Sequence, residues 1–196
     1  NLGMPSVGKN DLDRLRALLL ERSVRLGTFT LSSGARSSYY VDARQTTMTA
    51  EGQHLTGKIG YDMIEEAGWD VTHVGGLTLG ADPVTYAIAH HSWARERTLD
   101  GFTVRKQAKG HGTSRTIEGG LPGYARVVVI EDAVTSGASA LKAIEAVREH
   151  GAHVVGVLCL VDREEGGKGK LEELDLPLLA IFKGSDLLAA ARGGLG

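Results

Sequence analysis

The chain predicts an α/β fold, a mostly parallel central sheet flanked by helices. Three observations carry that expectation. Residues 127–130 (Val-Val-Val-Ile) and residues 154–161 are continuous apolar runs, the pattern of parallel strands buried on both faces. Around them lie stretches of helical period joined by short loops, the alternation that builds a parallel sheet covered by helices. At 196 residues the chain has the length of one such domain, burying about 70% of the surface its unfolded form would expose.

In chain order, residues 1–10 read as a leader, poorly ordered or left by expression, ahead of a single domain over residues 11–196. Asp11 is placed as the cap of a first helix carrying Leu12, Leu15, Leu18, Leu19 and Leu26 on one side. Residues 29–31 and 39–42 read as short strands about a turn. Residues 49–67 read as an amphipathic helix through Leu55, Ile59, Met63 and Ile64, ended by Gly68. Next come a strand at 71–74, a glycine-broken loop at 75–82, a helix at 83–91 with Pro83 in its first turn, and a strand at 101–105. A polar stretch, residues 106–123, leads to the apolar strand at 127–130. A helix at 137–150 closed by Gly151, the strand at 154–161 and a last strand at 178–182 complete the chain.

Composition narrows the function classes. With 22 basic and 24 acidic side chains the formal charge is −2, so no global basic field recruits nucleic acid and any anion site has to be built locally. The single cysteine, Cys159, lies in an apolar strand; this excludes an internal disulfide framework and fits a reducing, cytoplasmic compartment. No segment approaches the roughly 20 apolar residues of a membrane-spanning helix, so no membrane partner is expected.

The most informative run is Glu131-Asp132-Ala133-Val134-Thr135-Ser136-Gly137-Ala138-Ser139, directly after the strand. Two adjacent acids are expected where that strand ends, the edge at which open α/β sheets bind ligands. The small and hydroxyl residues then offer side-chain oxygens and free N–H groups at a helix start, where the macrodipole favours a phosphate. Acids for ribose hydroxyls and amides for a phosphate describe a phosphoribosyl site. Neither a Gly-x-Gly-x-x-Gly turn nor a Gly-x-x-x-x-Gly-Lys-Ser/Thr loop occurs in the chain. A second run, Arg105-Lys106-Gln107-Ala108-Lys109-Gly110-His111-Gly112-Thr113, gathers three cations and a histidine among glycines with little apolar anchorage. A long loop of this kind inside a compact domain is uncommon unless functional, and it could close cations over a diphosphate.

The acid pair and its loop resemble the PRPP-binding motif of the type I phosphoribosyltransferases. The basic run resembles the catalytic loop of one branch of them, the orotate phosphoribosyltransferases. That resemblance spans residues 29–163 and implies the type I phosphoribosyltransferase fold, with a small N-terminal hood over about residues 11–48. It further implies that Lys106, Lys109, His111 and Asp132 serve catalysis. PRPP would be held by Arg105, Lys106, Lys109, His111 and the whole of Glu131, Asp132, Ala133, Val134, Thr135, Ser136, Gly137, Ala138 and Ser139. Orotate would be held by Thr135, by Arg163 as the partner of its carboxylate, and by the backbone near Tyr40 and Val41. Residues 75–83 resemble the diphosphate loop, although Gly80, like Ser32 in the hood, stands where some relatives carry a lysine.

The expected reaction is transfer of the ribosyl 5-phosphate of PRPP to orotate, giving orotidine 5′-monophosphate and diphosphate in pyrimidine synthesis. Mg2+ would be held mainly through PRPP rather than by protein ligands. The resemblance also implies a homodimer whose basic loop reaches the partner's site. A purine phosphoribosyltransferase would share the phosphate motif but not the basic loop and Arg163. A PRPP-sensing nucleic-acid regulator would need a basic face or an added domain, and the chain offers neither.

Overall fold

The computed structural model describes residues 7–31, 33–107 and 116–194. Lys109, His111 and Ser32 therefore lie outside the described residues. Two sheets organise the rest. Strands β1 (Val24–Thr30) and β2 (Arg36–Val41) pair antiparallel as a separate two-stranded ribbon, the hood. The main sheet contains β3 (His73–Leu77), β4 (Asp100–Val104), β5 (Ile117–Glu118), β6 (Arg126–Val134), β7 (His153–Asp162) and β8 (Leu178–Lys183) in the order β5-β4-β3-β6-β7-β8. All its neighbours are parallel except β4 and β5. Val127 to Ile130 and Val157 to Val161 are fully buried, as expected of central strands covered on both faces.

The helices are α1 (Lys9–Arg22), α2 (Arg44–Thr47), α3 (Ala50–Glu66), α4 (Ala81–Ser92), α5 (Ala138–Glu149), α6 (Gly167–Glu172) and α7 (Gly184–Gly193). One apolar cluster packs α5 against β4, β6 and β7, and another packs α3 and α4 on the other face through Ile64, Ile88, Val128 and Leu158. A third ties the hood to the sheet, joining Leu15, Leu19, Tyr39 and Val41 to Leu160, Phe182 and Leu187. Thr49 caps α3 through its side-chain oxygen, which accepts from the Gly52 N–H at 3.0 Å.

Several expectations need correction. Asp11 does not cap the first helix: Gly8 holds the N-cap position, and Asp11 lies one turn inside, paired with Lys58 of α3. Lys9 and Asn10, placed in the leader, already belong to α1, and Val7 donates its N–H to Glu66 at 2.7 Å. Leu26 lies on β1, because the helix stops at Arg22. Gly75 and Gly76 are not loop but strand. They serve close packing, since a Cβ at Gly75 would run into the Phe102 carbonyl and one at Gly76 into the Ile130 carbonyl. The polar stretch after β4 contains β5, which covers the sheet edge.

Candidate active site

The acid pair does not follow β6; it lies within it. The reason is an asymmetry in the ladder. On one side β6 pairs with β7 as far as Val134↔Asp162, whereas on the other its pairing with β3 ends at Gly75↔Val129. Gly76 of β3 still packs on Ile130, but from Glu131 onward the β3 side is open, because the chain turns away into the loop Thr78–Gly80 before α4. A cleft therefore opens between adjacent central strands at their carboxyl ends, with Glu131 and Asp132 on its wall. The chain runs outward in opposite senses from β3 and β6, so the cleft sits at the topological switch point.

A cavity of about 200 Å3 occupies this cleft, lined by Glu131, Asp132 and Ser139 on one side and by Thr78, Gly80 and Lys106 on the other. Arg44 of α2 also lines it. Glu131 is 5% exposed, and burial, with the neighbouring Asp132 charge second, pushes its carboxyl up to about 8. Asp132 is raised as well, chiefly by burial, although the Ala133 N–H, donating to Oδ1 at 2.8 Å, and the Arg44 guanidinium pull the other way. Burial thus favours the protonated form of Glu131 in the free protein.

The loop opposite is held by one carboxylate. Asp82 accepts from Thr78 Oγ1 at 2.6 Å and from Thr103 Oγ1 at 2.9 Å, and Thr103 shares a 2.6 Å hydrogen bond with the Tyr86 hydroxyl. The loop after β3 and the end of β4, which launches the basic run, are therefore fixed to the first turn of α4. The Thr78–Leu79 peptide within this loop is cis.

Beyond Asp132 the chain turns into α5. Gly137 adopts φ +85°, a conformation that L side chains rarely hold, and its Cβ would stand 3.2 Å from Gly167. Gly167, the first residue of α6, donates to the Thr135 carbonyl at 3.0 Å. Thr135, Ser136, Ala138 and Ser139 are exposed around this turn, where the Ser136 hydroxyl accepts from the Ala138 N–H at 3.4 Å at the start of α5. Val134 differs: its side chain is buried, so only its backbone could serve a ligand.

A second cavity, about 560 Å3, lies across β6 from the first. Thr135, Arg163, Tyr40 and Val41 all line it, together with Ala133, Ser136, Phe29 and Glu165. Arg163 is not a surface arginine. It is 7% exposed, stacks over the Tyr39 ring at 4.2 Å and donates through Nη2 to the Tyr39 carbonyl at 3.3 Å. Its buried Nε has no hydrogen-bond partner among the described residues. A buried guanidinium with a spare donor is suited to an incoming carboxylate. Helix α7 supports it from behind, since Gly184 allows the Tyr39 hydroxyl a close approach that a Cβ would block.

Not every expected residue converges. Arg105 pairs with Glu118 at 2.9 Å and lines a neighbouring cavity with Thr103 and Gln107 rather than the acid-pair cleft. Lys106 does line the cleft of its own chain, and its carbonyl accepts from Lys142 Nζ at 2.6 Å. Lys109 and His111 are outside the described residues. Sequence reasoning missed Arg44, Glu165 and the contact from α6, and it placed Asp82 in the diphosphate loop without the role of holding that loop. Arg44 lies on a four-residue helix too short to leave a periodic signal, and Gly167 sits among residues with poor helix propensity.

Comparison with known proteins agrees with this geometry. The phosphoribosyl transferase domain family matches residues 53–175. An orotate phosphoribosyltransferase of Aquifex aeolicus is 48% identical over 179 residues, covering 90% of this chain and 97% of that protein. Among solved structures, Mycobacterium tuberculosis orotate phosphoribosyltransferase in complex with Fe(III) dicitrate superposes with a TM-score of 0.79 at 44% identity, covering 90% of this chain and 98% of that one. The same Mycobacterium tuberculosis enzyme in complex with PRPP gives a TM-score of 0.74 at 39% identity, with 90% and 98% covered. With that family match and relatives of this identity and coverage, the chain belongs to the orotate phosphoribosyltransferases, within the phosphoribosyl transferase domain family.

Proposed function

We propose that the two cavities are the two halves of one transfer site, PRPP occupying the acid-pair cleft and the turn into α5, and orotate the cavity carrying Arg163. The activity is orotate phosphoribosyltransfer. One observation carries the division of labour: the segment 131–139 walls both cavities, Glu131, Asp132 and Ser139 facing one and Ala133, Thr135 and Ser136 the other. A ribose gripped at this segment has its anomeric carbon between a diphosphate on one side and a planar base on the other.

Glu131 and Asp132 accept from the ribose hydroxyls, and Thr135 to Ser139 wrap the 5-phosphate at the start of α5. Orotate stacks beneath the hood, its carboxylate on Arg163 and its ring edge on the backbone of Tyr40 and Val41. The bond from the anomeric carbon to the diphosphate oxygen breaks as orotate N1 bonds to that carbon. Positive charge develops on ribose beside the acids, and negative charge on diphosphate beside Lys106 of the same chain, to which Lys109 and His111 of the partner subunit would add. Orotate N1 loses its proton, for which His111 or the departing diphosphate is the acceptor or relay.

Mg2+ fits this donor set as a substrate-borne ion. Glu131 and Asp132 offer two adjacent carboxyls, fewer oxygens than its octahedral shell requires, so PRPP oxygens and waters would supply the rest. When bound, the ion neutralises diphosphate charge and acts as a Lewis acid. We further place the protein in the cytoplasm as a homodimer whose basic loop completes the partner's site. Met48, Leu79, Tyr86 and Trp93, all exposed, offer apolar surface for such an interface. Among the described residues no helix is long and apolar enough to cross a membrane.

The test is optical. Loss of orotate absorbance is expected only with PRPP and Mg2+ both present, and adenine, hypoxanthine and uracil should not release diphosphate. Turnover of uracil equal to that of orotate would overturn the role given to Arg163.

A further inference from the structure

We propose that Arg44 is a diphosphate-binding residue, supplying from α2 the cation that the loop after β3 does not contain. The inference rests on the transfer reading above. Leu77-Thr78-Leu79-Gly80-Ala81 carries no charge, and Gly80 cannot readily be given a side chain, because its Cβ would stand 2.7 Å from Asp132 Oδ1. A leaving diphosphate seated against this loop would meet backbone amides and two acids. Around the cleft, the cations that line it are Lys106 and Arg44.

Arg44 is placed for the task by rigid scaffolding. Ala43 before it and Thr46 and Thr47 after it are buried. Thr46 Oγ1 lies 2.7 Å from Ser23 Oγ, and Gly52 of α3 packs so tightly on the Thr46 carbonyl that a Cβ could not fit. The backbone of α2 is thus pinned between α1 and α3 while the Arg44 side chain remains exposed. Among the described residues its guanidinium makes no ion pair or side-chain hydrogen bond, and its charge is felt at Asp132. Arg14, Arg16, Arg95, Arg97, Arg105 and Arg126 are by contrast each paired with an acid. A guanidinium fork left unpaired at the rim of a cleft is matched to the paired oxygens of a phosphoryl group.

The reaction run in both directions separates this role from its alternatives. Orotidine 5′-monophosphate carries the same ribose and 5-phosphate as PRPP but no diphosphate. A direct contact to diphosphate therefore predicts that Arg44→Ala raises KM for PRPP, and for diphosphate in the reverse reaction, by about 10- to 100-fold, the range of one charge-assisted hydrogen bond. KM for orotate and for orotidine 5′-monophosphate should stay within about twofold. Arg44→Lys should recover part of the loss, and Gln45→Ala, on the same exposed turn, should change none of the four constants. Thermal melting should be unchanged in all three variants.

If Arg44→Ala raises KM for orotidine 5′-monophosphate as much as for diphosphate, Arg44 acts through Asp132 and the contact is rejected. The contact is rejected equally if the PRPP and diphosphate constants do not move while the unmutated enzyme is active. Failure of the unmutated enzyme to interconvert the four substrates would instead reject the transfer reading itself.

Discussion

Replacing Glu131 by Gln removes a carboxyl that the folded protein holds at about 8, against an ordinary value of 4.5. A folded-state pKa above the unfolded one means that the folded state binds the proton more tightly. The associated stability is complete below pH 4.5 and is lost as pH rises through about 8. Within that window the loss is about 1.4 kcal/mol per pH unit. From pH 6 to pH 9 the unmutated protein should therefore lose roughly 3 kcal/mol that the Gln variant keeps, most of it below pH 8. For a chain of this size about 2–4 °C accompanies each kcal/mol, so the gap in melting temperature should widen by about 5–10 °C in favour of Glu131→Gln. Melts followed by circular dichroism at pH 6, 7, 8 and 9, without ligand, measure it directly. The buried His73 and His91 are common to both proteins and cancel in the difference, whereas Asp132 and Cys159, which interact with the Glu131 charge, titrate with it as one cluster and are part of the effect. Parallel melting curves over that range would show that Glu131 is not held protonated and would refute the burial argument.

Arg163→Lys should raise the orotate KM by about tenfold or more while leaving the PRPP KM nearly unchanged, since a lysine lacks the bidentate fork; an unaltered orotate KM removes Arg163 from the base site. Asp82→Asn keeps one acceptor oxygen of the two that hold Thr78 and Thr103, so the loop after β3 should loosen, raising the PRPP KM by roughly 3- to 10-fold but not that of orotate. Steady-state kinetics with each substrate varied would expose an effect confined to folding, because stability would fall and neither KM would move. For the proposed dimer, Lys109→Ala and Asp132→Asn proteins, each nearly inactive, should regain about a quarter of full activity when unfolded and refolded together. No recovery, with subunit exchange confirmed by mass, would mean that the loop serves its own chain.

The core of this fold was legible because the physics there is local and repetitive. The runs at 127–130 and 154–161, short and rich in valine, read as buried strands, and the periodic leucines of α1 and the apolar face of α3 follow the helical stripe. Boundaries failed where tertiary packing overrode local preference. Gly75 and Gly76 look like a turn, yet they are strand because Phe102 and Ile130 press against their Cα atoms. Helix α6 begins Gly-Lys-Gly-Lys and forms because Leu171 is fully buried and Gly167 fits the turn before α5. Helix α7 was different: Leu187 to Ala191 are good helix formers with Asp186 in the first turn, and the signal was present but unused.

The site was legible in its charges but not in how they are kept apart. A buried acid on one strand and a buried arginine at the end of its immediate neighbour would ordinarily satisfy each other, and a direct pair would leave neither available to a ligand. Here Glu131 lies in the cleft on one side of β6 and Arg163 in the cavity on the other, and among the described residues the two form no ion pair. Burial favours the neutral form of Glu131, and Arg163 is stabilised by the Tyr39 ring and carbonyl, with no acid paired to it among the described residues. Both states are costly in the free protein and are relieved only by ligands of opposite character, hydroxyls or a cation on one side and a carboxylate on the other. The withdrawal of β3 on one side of this strand end, with β7 kept on the other, sets the two sites apart while both remain on the short segment 131–139. Sequence spacing alone could not reveal that separation, because it depends on β6 losing its β3 neighbour at Val129 and keeping its β7 neighbour to Val134.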